Sequence, residues 1–544
     1  MVQGRGGRSV EVIGAGLAGC EAALQCARRG VPVRLLEMRP QKMTEAHETG
    51  DVAELVCSNS LKSDGLENAH GLLKAELRVL GSVLLECAER ARVPGGKALV
   101  VDRRRFSAEV QSELSRAGVS IERTEVSSLP PVAAWYHARS ELADPHQPTV
   151  ELGTIADRSS FIFHRSSGRA EDVTVIATGP LTSSPMADAL QALLGTEHLF
   201  FYDAIAPIVA AESLDMTRVF DGSRYGAGSD YLNCPMTEEE YDRFVNALLG
   251  ADLHPLHEFE TALADLGQLV PRAENRGQSP GGSRRTLAGT VPVFGPGHVP
   301  RRQSPFFEGC LPVEEIARRG RLALAFGPMK PVGLVDPRTG RQPFAVVQLR
   351  RENAEGTMHN LVGFQTRLKQ GEQERVFRMI PGLEKVAFLR FGSIHRNTFI
   401  DSPKVLLPTL QTRASSDLLV AGQLAGVEGY VESIGAGLVA GINAVRLAKG
   451  ERPLDLPREM MMGSLLGYIS ASAKWGQSLG VAQGPAKGQS PFCPASRFQP
   501  MNANFGLLPP LEKRLRGRDK RRALAERALA AAREFALTLA ENGG

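Results

Sequence analysis

The order of hydrophobic and polar residues near the N-terminus predicts a repeated strand and helix. Val10, Val12 and Ile13 form a short apolar run of the kind found in buried parallel strands. Small apolar residues then recur at helical spacing through residues 17–28, and the run 31–37 is apolar again. A strand, a helix and a second strand in close succession predict a parallel βαβ unit.

Three glycines separate the first strand from the helix. Gly14, Gly16 and Gly19 form a G-x-G-x-x-G turn that suits a tight bend, close approach of a pyrophosphate and close helix packing. The helix N-terminus favours phosphate, and Glu37 ends the second strand, where a carboxylate can accept a hydrogen bond from a ribose hydroxyl. The predicted dinucleotide contacts are Gly14, Ala15, Gly16, Leu17, Ala18, Gly19 and Glu37.

Two later segments favour FAD over a nicotinamide as the resident cofactor. "DVTVIATGP" (172–180) is a strand that ends in a small-residue turn, and residues 417–448 form a strand, a glycine-rich turn and a long small-residue helix. Both are typical of flavoprotein domains. For Glu428, stabilisation of the helix dipole is an alternative function. The predicted flavin contacts are Thr178, Gly179, Gly422, Gln423, Glu428 and Gly429.

These segments predict an α/β fold with a discontinuous Rossmann-type FAD-binding domain and an inserted α+β domain. The FAD-binding domain comprises residues 1–195 and 396–510, and alternating runs between them predict a sheet in the inserted domain, 196–395. Residues 511–544 predict a basic C-terminal helix. Polar or Gly- and Pro-rich stretches predict three surface insertions, at 129–170, 268–304 (which is expected to be flexible) and 474–496.

Composition narrows the function only slightly. The 544 residues carry 64 basic and 60 acidic side chains, so the net charge of +4 neither requires nor excludes a polyanionic partner. None of the seven cysteines forms a CxxC pair, so we predict neither a metal site nor a disulfide framework, and a reducing cytoplasm fits best. No apolar run approaches the ~20 residues of a membrane helix, so no membrane span is expected.

Two cysteines stand in unusually polar surroundings. Cys57 lies in "ELVCSNSLKS", where Lys62 favours a thiolate, and Cys234 lies in "DYLNCPM". One belongs to each predicted domain, which suggests a shared cleft. Of the other cysteines, Cys310 is left open and Cys493 is expected to have no function, whereas three lie at helical spacing among apolar residues and are predicted to be core: Cys20, Cys26 and Cys87.

Several longer stretches are more specific than the glycine turn. They include "ETGDVAELVCSNSLKS", "PGGKALVVDR", "DYLNCPM", "FEGCLPVEEIARRG", "FGPMKPVGL", "HRNTFIDSP" and "FQPMNANFGLLPP". With these stretches the chain resembles the folate- and flavin-dependent tRNA uracil-5 methyltransferases, which make ribothymidine in the T-loop. The resemblance covers most of the chain outside the three insertions.

The resemblance implies a reaction in which a thiolate adds to carbon 6 of uracil and activates carbon 5. It assigns Cys57 as the nucleophile and Cys234 as its partner, with the two roles open to exchange. It further implies FAD, methylenetetrahydrofolate as carbon donor, NADPH or NADH as reductant, and tRNA as substrate. A homodimer is left open.

Other residues are candidates for binding folate or tRNA. His395 is predicted to stack on the folate, with a structural histidine as the alternative, and further candidates are Arg396, Asn397, Lys330 and Arg350, of which Lys330 and Arg350 could equally be solvated bases. Basic residues that could bind tRNA phosphates are Arg284, Arg285, Arg301, Arg302 and the cluster at 513–522.

Three other functions remain open at this point. A wobble-uridine-modifying flavoprotein would share the FAD domain and folate chemistry, but it generally carries a longer helical C-terminus. A noncatalytic FAD-containing tRNA-binding or folding protein would need neither polar-loop cysteine. A generic NAD(P)H oxidase would not need Cys57.

Overall fold

Two large sheets, a three-stranded sheet and a two-stranded ribbon organise the chain in a computed structural model. The model describes residues 8–129, 172–196, 199–224, 230–255, 306, 310–470 and 498–541. The strands are β1 Val10–Ile13, β2 Val33–Glu37, β3 Ser60–Ser63, β4 Arg92–Val93, β5 Ala98–Val101, β6 Ser120–Arg123, β7 Val173–Ile176, β8 Leu199–Ala204, β9 Ile208–Ala210, β10 Phe220–Asp221, β11 Tyr231–Met236, β12 Ala345–Arg351, β13 Met358–Leu361, β14 Phe388–Arg390, β15 Ile394–Phe399 and β16 Leu418–Val420.

Helices cover both sheets. They are α1 Leu17–Arg28, α2 Ala69–Val79, α3 Val83–Arg90, α4 Arg103–Arg116, α5 Ser184–Leu194, α6 Glu238–Leu249, α7 Val313–Ala317, α8 Ala323–Phe326, α9 Gln370–Phe377, α10 Ser402–Val405, α11 Tyr430–Ala448, α12 Met461–Ser470 and α13 Gly517–Glu541. Short 3-10 turns occur at Ala211–Ser213 and Gln423–Ala425.

The first sheet is parallel and has the order β16-β7-β1-β2-β6. Val10 pairs with Val33 on one side and with Val173 on the other. Strand β16 belongs to this sheet, although it follows all the strands of the second sheet in the sequence. This order gives the discontinuous Rossmann arrangement. The domain boundaries themselves stay predictions.

Small residues bring two helices of this domain close together. A Cβ atom on Gly437 would lie 2.2 Å from the carbonyl oxygen of Ala18, and one on Gly441 would lie 2.7 Å from that of Ala22. Helix α11 is long and apolar enough to cross a membrane, but 89% of it is buried inside the protein. Its apolar surface is therefore accounted for by packing against α1.

The second sheet is antiparallel, with the order β10-β11-β12-β13-β9-β14. Its apolar face packs against α6 and α9 through residues such as Phe244, Val347 and Phe377. A two-stranded ribbon of β8 and β15 joins the two sheets, and it sets His395 directly opposite Asp203.

The C-terminal helix is shorter than predicted. Helix α13 begins at Gly517, a residue in the left-handed conformation, and not at residue 511. It buries Leu524, Ala528 and Phe535 and contacts α2. The residues of the basic cluster before Gly517 therefore form an exposed segment outside the helix.

Candidate active site

The loop that carries Cys57 is held by three arginines, one at the start of helix α4 and two from strands of the second sheet. Arg103, at the start of α4, donates to the two backbone carbonyls just before Cys57 at 2.6 and 3.1 Å. Arg390 donates to the carbonyl oxygen of Val56, the residue immediately before Cys57, at 2.9 Å. Arg350 donates to the side chains of the next two residues, Ser58 and Asn59, at 2.9 Å each. Arg350 therefore positions this loop, and its predicted contact with folate or phosphate stays a prediction.

The thiol of Cys57 lies beside the N-terminus of helix α11. The Tyr430 hydroxyl is 3.0 Å from Cys57 Sγ, and its oxygen accepts hydrogen bonds from the backbone N–H groups of Cys57 and Ser58 at 2.9 and 3.2 Å. With both N–H groups donating to the oxygen, the phenolic proton is available for the sulfur. Burial, followed by the charge of Asp203, raises the pKa of Cys57 to about 11, whereas Tyr430 and Arg103 act to lower it.

The second thiol at this site is Cys310. It is half-buried like Cys57 and interacts electrostatically with Asp203, Cys57 and Glu428. Burial raises its pKa well above the usual range, and Asp203 raises it further. Sequence reasoning left this cysteine open; the signal available was "FEGCLPVEE", whose cysteine also stands among polar and turn-forming residues.

The prediction that Cys234 shares the cleft with Cys57 is wrong. Cys234 is fully buried in the apolar core of the second sheet, together with Met236 and Val347. Side chains alternate between the two faces of a strand. Arg350, opposite Tyr231 in the register, reaches the Cys57 loop, so the side chain of Cys234 points away from that loop.

Buried carboxylates surround the thiols. Burial and, after it, the nearby charge of Asp203 raise the pKa of Glu428 to about 8. Glu432, one helical turn later, behaves oppositely: burial alone would raise its pKa, but the charge of Lys62, together with His70 and the Ala503 N–H, brings the value to about 2. One protonated and one ionised carboxyl group therefore lie together near neutral pH.

The position of Lys62 depends on a second, fully buried lysine. Lys74 donates to the carbonyl oxygens of Leu61, Lys62 and Ser63 at 2.7, 3.0 and 2.7 Å. The backbone of Lys62 adopts a φ of +61°, which is unfavourable for a residue with a side chain. These contacts hold the Lys62 ammonium group where it interacts with Glu428 and Glu432.

The predicted dinucleotide turn has room for a pyrophosphate. A Cβ atom on Gly19 would lie 1.8 Å from the Gly14 carbonyl oxygen, whereas one on Gly16 would meet nothing within 4 Å. Glu37 is buried, and its carboxylate accepts hydrogen bonds from the Ala15 N–H at 2.8 Å and from Arg39. Burial acts to raise the pKa of Glu37, but Arg39 holds it below the usual value. An open cradle and an ionised acceptor fit the phosphates and ribose of FAD.

The remaining predicted flavin residues follow the strands next to β1. Thr178 and Gly179 lie just beyond the end of β7, and Gly422 lies two residues after the end of β16, at the carboxyl edge where such sheets bind ligands. Gln423 donates to Glu428 at 2.7 Å. The predicted contacts of Ala15, Leu17, Ala18 and Gly429 with the cofactor also stay predictions.

The folate and tRNA candidates have different environments. His395 is buried, and this burial lowers its pKa, although Asp203 acts in the opposite direction. Asn397 is fully buried, with no hydrogen-bond partner for its side chain among the described residues. Arg396 is exposed. Lys330 lies in the loop after α8, and its predicted contact stays a prediction.

Some candidates lie outside the described residues. These are Arg284, Arg285, Arg301, Arg302 and Cys493, together with the three predicted insertions apart from residue 129. The predicted core cysteines are described. Cys20, Cys26 and Cys87 are buried in the core around the first sheet, which confirms the prediction that they are core residues.

Comparisons with known proteins agree with this architecture. The family described as "Glucose inhibited division protein A" matches residues 9–277 and 298–452. The chain is 47% identical to a "Methylenetetrahydrofolate--tRNA-(uracil-5-)-methyltransferase TrmFO" of Moorella thermoacetica and 48% identical to one of Desulforudis audaxviator, covering 96% of both chains in each case. The structure of Aquifex aeolicus GidA superposes with a TM-score of 0.57 at 16% identity, covering 98% of this chain and 76% of that one, which confirms the predicted fold class.

Proposed function

This chain belongs to the glucose inhibited division protein A family and to its methylenetetrahydrofolate–tRNA-(uracil-5-)-methyltransferases, and from that premise we propose that it methylates carbon 5 of a T-loop uridine in tRNA. Methylenetetrahydrofolate is the carbon donor. The observation that carries the proposal is the pair of half-buried thiols, Cys57 and Cys310, which both interact electrostatically with the Asp203 carboxylate. A noncatalytic FAD protein would have no use for such a pair.

The two thiols have different functions in the reaction of the uracil base. Carbon 5 of uracil is a poor nucleophile until a thiolate adds to carbon 6, and the proton on carbon 5 must later be removed. Cys57 is the proposed nucleophile, because Tyr430 can donate a hydrogen bond to its thiolate. The reverse assignment is the second candidate, because Cys310 is equally half-buried and interacts with the same carboxylate and with Cys57.

Buried acid groups handle protons beside these thiols. Glu428 has a pKa of about 8, raised by burial and by Asp203, so it can hold or release a proton near neutral pH. Asp203 lies opposite His395 in the ribbon and interacts with both cysteines. We assign Asp203 and Glu428 to carry the protons displaced when the thiols react.

The glycine turn and Glu37 would hold the FAD. Bound FAD supplies the reducing equivalents, taken from NADPH or NADH, that convert the transferred methylene into a methyl group. The residues of this chain bind its phosphates through Gly16 and the α1 N-terminus, and its ribose through Glu37. His395 and Asn397 are proposed to lie against the folate.

Two further assignments complete the proposal. The exposed basic segment at 513–522 is proposed to contact tRNA phosphates. A cytoplasmic location fits seven cysteines without a disulfide pattern. The homodimer stays a prediction.

The activity is tested with the carbon donor labelled. Purified protein with reducible FAD is incubated with unmodified tRNA transcript, ¹³C-methylene tetrahydrofolate and NADPH, and the RNA is digested for mass spectrometry. We expect ribothymidine that carries the labelled carbon. Absence of ribothymidine from protein whose FAD is bound and reduced by NADPH would overturn the proposed function.

A further inference from the structure

The ribbon of β8 and β15 has two chemically different faces. His395 and Asp203 lie opposite each other on one face, which interacts with the two thiols. Arg396 is the next residue along β15, so its side chain lies on the other face. This face is exposed at Phe200 and Arg396, with Phe200 39% exposed. Consecutive residues of β15 therefore belong to the face that interacts with the thiols and to the exposed face.

Arg396 and Phe200 are preorganised with respect to each other. The guanidinium carbon of Arg396 lies 3.7 Å from the centroid of the Phe200 ring, and the two residues are diagonal neighbours across the ribbon. Among the described residues, no carboxylate forms an ion pair with Arg396. Stacking on the ring fixes the plane of the guanidinium while its N–H edge stays available.

We propose that the Arg396–Phe200 pair is a contact site for the tRNA sugar-phosphate backbone next to the methylated uridine; this inference rests on the proposed function. A planar guanidinium with a free N–H edge matches a phosphate in a bidentate manner. The folate is a small ligand and belongs in an enclosed site. A polynucleotide that places one base among the thiols must continue across the surface outside, where Arg396 and Phe200 are exposed.

The test measures binding of unmodified tRNA transcript to the FAD-loaded protein over a series of salt concentrations. Arg396→Gln removes the charge, so we expect Kd to rise about three- to tenfold and the slope of log Kd against log salt to fall by about one. Phe200→Leu keeps the charge but removes the stacked ring, so we expect a smaller rise in Kd with an unchanged slope.

Arg452→Gln is the matched control. Arg452 is exposed and follows the C-terminus of helix α11, whose N-terminus carries Tyr430. The 19 residues of this helix span roughly 28 Å. The control variant is expected to bind tRNA with the wild-type Kd and slope, and a similar loss in both arginine variants would overturn the inference.

Other outcomes separate the inference from the proposed function. If wild type makes ribothymidine but Arg396→Gln binds tRNA with unchanged Kd and slope, the inference fails and the proposed function stands. A raised KM for methylenetetrahydrofolate with intact tRNA binding would also overturn the inference, because Arg396 would then contact folate. If wild type makes no ribothymidine and binds no tRNA, both fail.

Discussion

The Tyr430 hydroxyl lies 3.0 Å from Cys57 Sγ while it accepts the Cys57 backbone N–H at 2.9 Å. The Tyr430 side chain, at the N-terminus of α11, therefore contacts both the sulfur and the backbone nitrogen of Cys57. Because the hydrogen bond to the sulfur favours the thiolate, it opposes the effect of burial on the thiol's pKa.

Tyr430→Phe should make the Cys57 thiolate harder to form. Loss of one hydrogen bond to a charged group corresponds to on the order of a tenfold change in ionisation. We expect alkylation of Cys57 by iodoacetamide, followed by mass spectrometry, to be about tenfold slower at pH 8 and to shift to higher pH. Tyr241→Phe is the control, because that hydroxyl bonds to the Arg321 carbonyl oxygen in the second domain. An unshifted alkylation profile in Tyr430→Phe would show that Tyr430 does not stabilise the Cys57 thiolate.

The strained backbone at Lys62 predicts an unusual order of stability. Glycine adopts a φ of +61° without penalty and alanine does not, so Lys62→Gly should be more stable than Lys62→Ala by about 1 kcal/mol in urea unfolding. Both variants lose the ammonium group, so the comparison isolates the backbone. At exposed Lys97, which lacks a positive φ, glycine should be the less stable of the two. Equal stability at position 62 would mean that the loop relaxes.

The two glutamates of the site should respond oppositely to pH. The pKa of Glu428 is raised by burial and by Asp203, so the folded state holds its proton more tightly than the unfolded state does. Stability from this group is present below about pH 4.5 and is lost as the pH rises towards 8. In ligand-free protein, Glu428→Gln should therefore gain stability relative to wild type between pH 5 and 9, as measured by urea unfolding.

Glu432 provides the contrast. Lys62 and His70 overcome the effect of burial and lower its pKa to about 2, so its contribution to stability is present above about pH 4.5 and is lost as the pH falls towards 2. Glu432→Gln should be less stable than wild type at pH 7. The same pH response in both variants would refute the electrostatic assignment.

The glycine turn separates folding from cofactor binding. Gly16→Ala adds a methyl group into open space at a negative φ, so the unfolding free energy of the ligand-free protein should change by less than about 0.5 kcal/mol. The same methyl group occupies the path of the pyrophosphate, so the FAD content should fall. Gly19→Ala is the matched variant: its Cβ would lie 1.8 Å from the Gly14 oxygen and should destabilise the fold itself. Retention of full FAD content by Gly16→Ala would argue against this site.

The parts of the fold that depend on neighbouring residues could be predicted from sequence. The turn at Gly14 and Gly16 is recognisable because its conformation is set within a few residues. The partner of Cys57 was not predictable in this way, because Cys234 and Cys310 both stand among polar or turn-forming residues. Cys234 lies on the face of strand β11 that points away from the Cys57 loop, whereas Cys310 interacts with Asp203, which is distant in sequence. The function of Arg350, which holds a loop formed almost 300 residues earlier, likewise depends on tertiary structure.

Cys57 and Cys310, and not Cys234, form the proposed reactive pair. The most direct measurement is ribothymidine in tRNA after incubation with methylenetetrahydrofolate and NADPH, compared between the three alanine variants, each with FAD bound. We predict that Cys234→Ala makes ribothymidine at near the wild-type rate, whereas Cys57→Ala and Cys310→Ala each lose at least about 1,000-fold, as expected when a nucleophile or its base is removed. Activity in Cys310→Ala together with loss in Cys234→Ala would contradict the account.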